Sequence, residues 1–269
     1  MNNWLIRNRF LIARRIVQII LLVLFAGSNW FGWKLLMGNY SAAFVLESFY
    51  LADPHMATQM LSAGFLAATD LLIGAFIVLL FYALIGGRGF CSWVCPVNIV
   101  TDLANNLRMR LKFGKNENDS FPKRNTRYWV LVLGLVLSAI LGVAAFEFIN
   151  PVTMLHRGII FGFGLGWLVI VAVFLFDFGI KSHGWCGYLC PLGAFYSVIG
   201  RYSLIKVNHI KENCTNCLKC KDVCPEVQVL KNIAIESGRI NSGECTNCGK
   251  CIEVCNDNSL KYSINNYKK

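Results

Sequence analysis

Twelve cysteines in 269 residues fall into two spacing patterns, and each spacing limits what its thiols can do. Toward the C-terminus the chain reads CTNCLKCKDVCP over 214–225 and CTNCGKCIEVCN over 245–256, both Cys-x2-Cys-x2-Cys-x3-Cys. Three thiolates on so tight a loop reach three irons of one cubane, while the fourth, on the helical turn that follows, points toward a second cluster. Two copies therefore predict two [4Fe-4S] clusters that exchange fourth ligands. Cys214, Cys217, Cys220 and Cys255 would hold one, and Cys245, Cys248, Cys251 and Cys224 the other. Zinc favours two separated Cys-x2-Cys pairs over a run of four, and disulfides are disfavoured where thiols are kept reduced. Asn256 stands where the pattern usually has proline, which makes the turn less rigid and removes no ligand.

The other four cysteines form a repeated Cys-x3-Cys-Pro, in GFCSWVCPVN over 89–98 and GWCGYLCPLG over 184–193. In a helix, thiols at i and i+4 share one face, and the proline limits how the turn continues. No histidine follows, so this is not a c-type haem attachment site. Cys91, Cys95, Cys186 and Cys190 are candidates for a shared metal or iron-sulfur centre, for a redox dithiol, or for buried thiols without chemistry. The repetition is hard to explain by packing alone.

The elements that must position these residues are apolar. Hydrophobic residues make up 55% of the chain and charged ones 15%, and the mean hydropathy of +0.50 points to a membrane protein. Four stretches, 16–36, 62–86, 128–146 and 158–176, are each near the length of about 20 helical residues that crosses a hydrocarbon core of about 30 Å. The first is longer than a signal-peptide core and lacks small-x-small cleavage chemistry, so it reads as an uncleaved anchor. Asp70 falls inside the second stretch.

Arg7, Arg9, Arg14 and Arg15 precede the first span. Arg88, Arg108, Arg110, Lys112, Lys115, Lys123, Arg124 and Arg127 fill the connection between the second and third. The connection over 38–61 has neither lysine nor arginine. The positive-inside rule therefore places both termini, the middle loop and everything after residue 180 in the cytoplasm. The net charge of +11 then faces anionic lipid and calls for no nucleic acid.

The expected fold is an α-helical integral membrane domain over 1–200, with four transmembrane helices in a two-fold internal repeat. A small α+β domain over 201–269 follows, its strands drawn from 204–207, 233–235 with Ile240, and 260–264. Each Cys-x3-Cys-Pro closes one repeat. The outer connections also rhyme, with Glu47, Asp53-Pro54 and His55 echoed by Glu147, Asn150-Pro151 and His156. A pseudo-twofold axis along the membrane normal would bring the four repeated cysteines together.

The C-terminal part resembles a bacterial two-cluster ferredoxin, which implies one-electron transfer. Two Cys-x3-Cys-Pro motifs after four spans, with this tail and NPVTMLHRG over 150–158, resemble the NapH family, the membrane quinol dehydrogenase component of bacterial periplasmic nitrate reductase systems. The resemblance implies a multi-pass protein of the bacterial cytoplasmic membrane. It implies oxidation of a menaquinol or ubiquinol from the membrane quinone pool, with electrons passing through a partner ferredoxin-type protein toward nitrate reductase. The alternative is a redox-sensing or maturation membrane ferredoxin, of the NosR or oxidase-assembly type, without quinol turnover. A NosR-type flavin domain has no room in this chain, and a transporter subunit is disfavoured by the lack of broken helices.

Quinol oxidation needs a polar group in an apolar pocket near a membrane face, and ionisable residues within spans are the first candidates. Asp177 and His183 are the expected quinol site, with Lys181 beside them. Residues of the outer connections would lie about 30 Å of hydrocarbon away from the cysteines, with none of the four histidines placed to hold a haem between.

Overall fold

A computed structural model describes residues 3–65, 68–111, 123–162 and 164–264. Lys112 and Lys115, counted above among the middle-loop cations, lie outside them. The chain begins with α1 (Asn3–Arg7), α2 (Arg9–Phe31), strands β1 (Leu36–Gly38), β2 (Ala42–Val45) and β3 (Phe49–Ala52), then α3 (Pro54–Ser62) and α4 (Thr69–Ile85). A π-helical turn (Phe90–Val94) and α5 (Val97–Arg110) follow. The second half runs α6 (Thr126–Leu141), a 3₁₀ turn (Ala145–Phe148), α7 (Pro151–Phe161), α8 (Gly166–Gly179), a second π turn (Trp185–Leu189) and α9 (Pro191–Gly200). Last come β4 (Ile205–His209), α10 (Lys219–Asp222), β5 (Gly238–Arg239), α11 (Lys250–Glu253) and β6 (Leu260–Ile264).

The repeat expected from the cysteine motifs is present in this order of elements. Each half has a short proline-started helix, a longer apolar helix, a π turn and another helix. The short helices begin alike for one physical reason. Asp53 and Asn150 each accept a hydrogen bond from the backbone N–H two residues on, and the proline between them lacks the donor that the first turn leaves unused.

Among the described residues, only α2, of 23 residues, is long and apolar enough to cross a membrane by length and composition. The apolar helices α4, α6 and α8 have 17, 16 and 14 residues, short of the expected spans, with residues 158–161 of the fourth stretch folded into α7 and residues 145–146 of the third into the 3₁₀ turn. Asp70 sits in the exposed first turn of α4 instead of mid-span, where its carboxylate meets the positive end of the helix dipole. All of these helices leave large apolar side chains uncovered, including Ile20, Phe76, Ile140 and Leu168.

The connection over 38–61 carries three strands that its sequence did not suggest. They form an antiparallel sheet in the order β1-β2-β3, with Val45 opposite Phe49 across a turn where Leu46 and Glu47 take positive φ. Neither residue is the glycine or asparagine that announces such a turn, which hides the hairpin.

Two compact units emerge, and they do not divide at residue 200. One comprises residues 1–17, 81–94 and 196–269, and the other residues 18–80 and 95–195. The first is organised by an antiparallel sheet in the order β5-β4-β6 over a core of Val207, Leu230, Ile233, Ile240 and Leu260, with Cys220 and Cys251 among them. Residues 260–264 are a strand, whereas Ile233–Ile235 is a turn, with Ile233 given to the core. In the second unit, Ala52, Ala57, Leu71 and Ala75 make one small core and Phe25, Ala26, Ala43 and Ile160 another. Gly74 allows α4 to meet β3, since a Cβ there would come within 2.1 Å of the Tyr50 carbonyl oxygen.

Candidate functional site

The two four-cysteine motifs fold alike. Asn216 and Leu218 in the first, and Asn247 and Gly249 in the second, take left-handed φ immediately before α10 and α11. Such alternation turns successive backbone N–H groups inward and forms a concavity suited to an anion. Gly249 is also sterically required, because a Cβ there would lie 2.5 Å from the Phe10 ring.

Cys224, Cys245, Cys248 and Cys251 line one small void of about 20 Å³, with Val207, Val229, Leu230 and Ile240 in its wall. Burial pushes the Cys245 thiol up to about 11 and raises Cys224 and Cys251 as well, and the sulfurs raise one another when charged. Cys220 is raised by burial and feels the charges of Cys255 and Cys214. Cys217 is exposed. Among the described residues no three His, Cys, Asp or Glu side chains could hold a single metal ion. A cubane asks for something else, four thiols around a void with one per iron, and the Cys224, Cys245, Cys248 and Cys251 set fits that description.

The first Cys-x3-Cys-Pro begins within the same unit. Its π turn is tied to the second cysteine loop: the Ser92 hydroxyl donates to the Thr246 carbonyl at 2.7 Å and Trp93 Nε1 to the Asn247 carbonyl at 3.0 Å. Arg88, 1% exposed, forms a buried ion pair with Glu226, just beyond Cys224, and donates to the Glu244 carbonyl at 3.1 Å. Phe90 stacks on Tyr196 with ring centres 5.1 Å apart. Of the repeated cysteines, Cys91 falls in this unit, and Cys95, Cys186 and Cys190 in the other.

In the second unit Asp177 is 0% exposed. Its Oδ1 accepts the Trp185 backbone N–H at 2.8 Å and so holds the π turn that carries Cys186, while the Lys181 ammonium lies 4.3 Å from the Tyr188 ring centre. Oδ2 is buried with no hydrogen-bond partner. Helix α5 brings Asp102 and Arg108 close enough to act on the Asp177 charge. Asp102 Oδ1 also stands 3.9 Å from His183 Nε2. Asp177 and His183 thus share one buried neighbourhood, joined through Asp102. Asp102 and Arg108 went unrecognised because the sequence shows them only as charges in a polar helix.

The arginines read as facing lipid headgroups do other work. Arg88, Arg108 and Arg127 are buried and donate to backbone carbonyls, Arg127 to that of Gly187 inside the second motif at 3.2 Å. The residues of the outer connections also differ from expectation. Glu47 is solvated and pairs with Lys34 at 2.8 Å. By contrast, Glu147 accepts hydrogen bonds from Ser41, Asn150 and Thr153. His55 and His156 are buried in aromatic surroundings, against Phe146 and Phe195, and Phe25 and Tyr40. The expected separation of about 30 Å from the cysteines fails at these residues. Tyr40 is near enough to Cys95 to feel its charge, and His55 touches Phe195, five residues beyond Cys190, because α3 and the β1-β2-β3 sheet fold back onto the helices.

Comparison with known proteins bears on these residues. Residues 67–115 and 159–208, which contain the two Cys-x3-Cys-Pro motifs, each match a family described as a 4Fe-4S binding domain, and residues 206–256 match a 4Fe-4S dicluster domain. The chain is 46% identical over 232 residues to the ferredoxin-type protein NapH of Haemophilus influenzae, covering 86% of this chain and 79% of that protein. It is 45% identical to NapH of Escherichia coli over 85% of this chain and 79% of that protein. The methylamine utilization ferredoxin-type protein MauN of Methylorubrum extorquens is also 45% identical, over 81% of this chain and 75% of that protein. No solved structure matches the chain.

Proposed function

The chain belongs to the NapH family of ferredoxin-type proteins, and from that membership we propose that it is a membrane-bound iron-sulfur protein that oxidises a quinol and passes the electrons toward a nitrate reductase through a partner ferredoxin-type protein. Four thiols from two different motifs around one void carry the reading. Cys245, Cys248, Cys251 and Cys224 would hold one [4Fe-4S] cluster, and Cys214, Cys217, Cys220 and Cys255 the other. A cluster of this kind, when bound, accepts and releases one electron at a time. The surrounding residues exclude water, with Val207, Leu230 and Ile240 sealing the void, and Arg88 with Glu226 fixes the backbone just past Cys224.

The two 4Fe-4S-type matches over the repeated motifs support a redox role for Cys91, Cys95, Cys186 and Cys190 as well. For the quinol, Asp177 and His183 remain the candidates: Asp177 offers an unoccupied carboxylate oxygen in an apolar helix, and Asp102 would stabilise the imidazolium formed if His183 takes a quinol proton. Helices α2, α4, α6 and α8 would cross the bilayer, and their uncovered apolar faces favour this. The MauN relatives favour a second reading of the acceptor, the same electron-transfer core serving methylamine utilization.

The test is reduction of the clusters by a menaquinol or ubiquinol analogue in proteoliposomes, followed by EPR. Quinol-dependent reduction is expected in the parent chain and severalfold slower reduction in Asp177→Asn, with unchanged iron content. Clusters that are present but never reduced by either quinol would favour the redox-sensing alternative.

A further inference from the structure

A cavity of about 510 Å³ opens where α7 turns back into α8. Met154, Arg157, Phe161 and Trp167 supply its side chains, and glycines the rest of its lining. Two of those glycines let the helices close on each other. A Cβ at Gly158 would come within 2.8 Å of Trp167 Nε1, and one at Gly166 within 3.4 Å of the Met154 Cβ.

Arg157 stands apart in its surroundings. Between Arg127 and Lys181 the sequence holds no other lysine or arginine. The side chain is exposed, and among the described residues no carboxylate pairs with its guanidinium. Lys34, by contrast, is matched by Glu47 at 2.8 Å. A guanidinium keeps its charge at every physiological pH, and none of the residues lining the cavity is acidic. The site therefore asks for an anion, and the planar fork of donors favours one with two oxygens side by side, as in a phosphate.

The neighbours of the cavity say which kind of phosphate. Helix α2 is long and apolar enough to cross a membrane, and in its last turn Trp30 Nε1 donates to the Ile160 carbonyl at 3.0 Å. Arg157 and Phe161 thus sit beside the end of a span, at the level where hydrocarbon gives way to headgroups. Phe161 is 76% exposed, and Leu165, between two lining glycines, is 85% exposed. A free anion in water gains nothing from such flanks, whereas acyl chains would cover them.

We propose that this cavity seats the headgroup of an anionic phospholipid, with its phosphate on the Arg157 guanidinium and its acyl chains over Phe161 and Leu165. The inference rests on the membrane reading of α2, α4, α6 and α8. The headgroup is anionic and not zwitterionic, because no acidic side chain lines the cavity to receive an ammonium. Phosphatidylglycerol meets these demands. A quinol is uncharged and would leave the guanidinium without a counter-charge.

The experiment is native mass spectrometry of the full-length, cluster-loaded chain released from detergent under anaerobic conditions, with dioleoylphosphatidylglycerol or dioleoylphosphatidylcholine titrated in. One phosphatidylglycerol per chain is expected to bind about tenfold more tightly than phosphatidylcholine, the contribution of about one charge-assisted pair. Arg157→Gln should bring phosphatidylglycerol down to the phosphatidylcholine level. Arg157→Lys keeps the charge and loses the fork, so it should lie between, and it decides alike should Arg157→Gln not fold. Lys34→Gln removes a cation that Glu47 already neutralises and should leave the preference intact. Inorganic phosphate in excess should not displace the lipid. Equal affinity for the two lipids in the parent chain, an unchanged preference in Arg157→Gln, an equal loss in Lys34→Gln, or displacement by inorganic phosphate would overturn the proposal. Alkaline carbonate extraction of membranes tells the two failures apart. A chain released by carbonate refutes the membrane reading and the site together, whereas a retained chain without the lipid preference refutes the site alone.

Discussion

Cys224 and Cys248 belong to motifs more than twenty residues apart, yet they share a void and feel each other's charge. Their substitutions should therefore have one spectroscopic consequence. Cys224→Ser and Cys248→Ser are each expected to perturb the same EPR signal, and Cys220→Ser and Cys255→Ser the other. Signals that sort by motif instead would reject the exchange of fourth ligands. The thiols also make the iron-free chain sensitive to alkali. Cys245 sits near 11 in the fold against 9.0 when unperturbed. A raised value means that its contribution to stability is complete below pH 9 and is lost as pH rises through 11. Urea denaturation of the apoprotein should show a falling midpoint across that window. That Cys224 joins Cys245, Cys248 and Cys251 around one void was legible because thiol spacing is itself a geometric statement. Asp102, Arg108 and Arg127 were not, since nothing in their neighbours distinguishes a buried arginine from one facing lipid.

At the scale of elements, the hydrogen bonds between the first π turn and the second cysteine loop are buried and short. Ser92→Ala leaves the Thr246 carbonyl without that partner, and it should lower thermal stability by about 1–3 kcal/mol with earlier cluster loss on heating. Asn150→Ala removes the cap of α7 together with a bond to Glu147, so about 1 kcal/mol is expected from the cap alone, read by the same melt. The sequence announced β6 and the repeat, because short apolar runs and recurring motifs are local signals. The hairpin over 42–52 escaped notice, because Leu46 and Glu47 hold left-handed φ by tertiary pairing and not by their own preference. Helix lengths were overestimated for a related reason. Hydropathy sees apolar residues, but it does not see that α3 and α7 break away as separate capped helices.

For the whole molecule, fusion reporters read the topology directly. With four crossings and both termini inside, alkaline phosphatase should be active when fused after Glu47 and inactive at the C-terminus, and green fluorescent protein the reverse. Activity at both positions would leave α2 as a single anchor. The discontinuous unit of residues 1–17, 81–94 and 196–269 also imposes an order on biosynthesis. Its three parts leave the ribosome at the beginning, the middle and the end of translation. The loop carrying Cys245 and Cys248 cannot meet Ser92 and Trp93 until the last of them has emerged. A nascent chain arrested before residue 240 has α2, α4, α6 and α8 already made and no completed four-thiol void. On the proposed reading, iron delivery to Cys245, Cys248 and Cys251 is thereby deferred until the apolar helices have all been made.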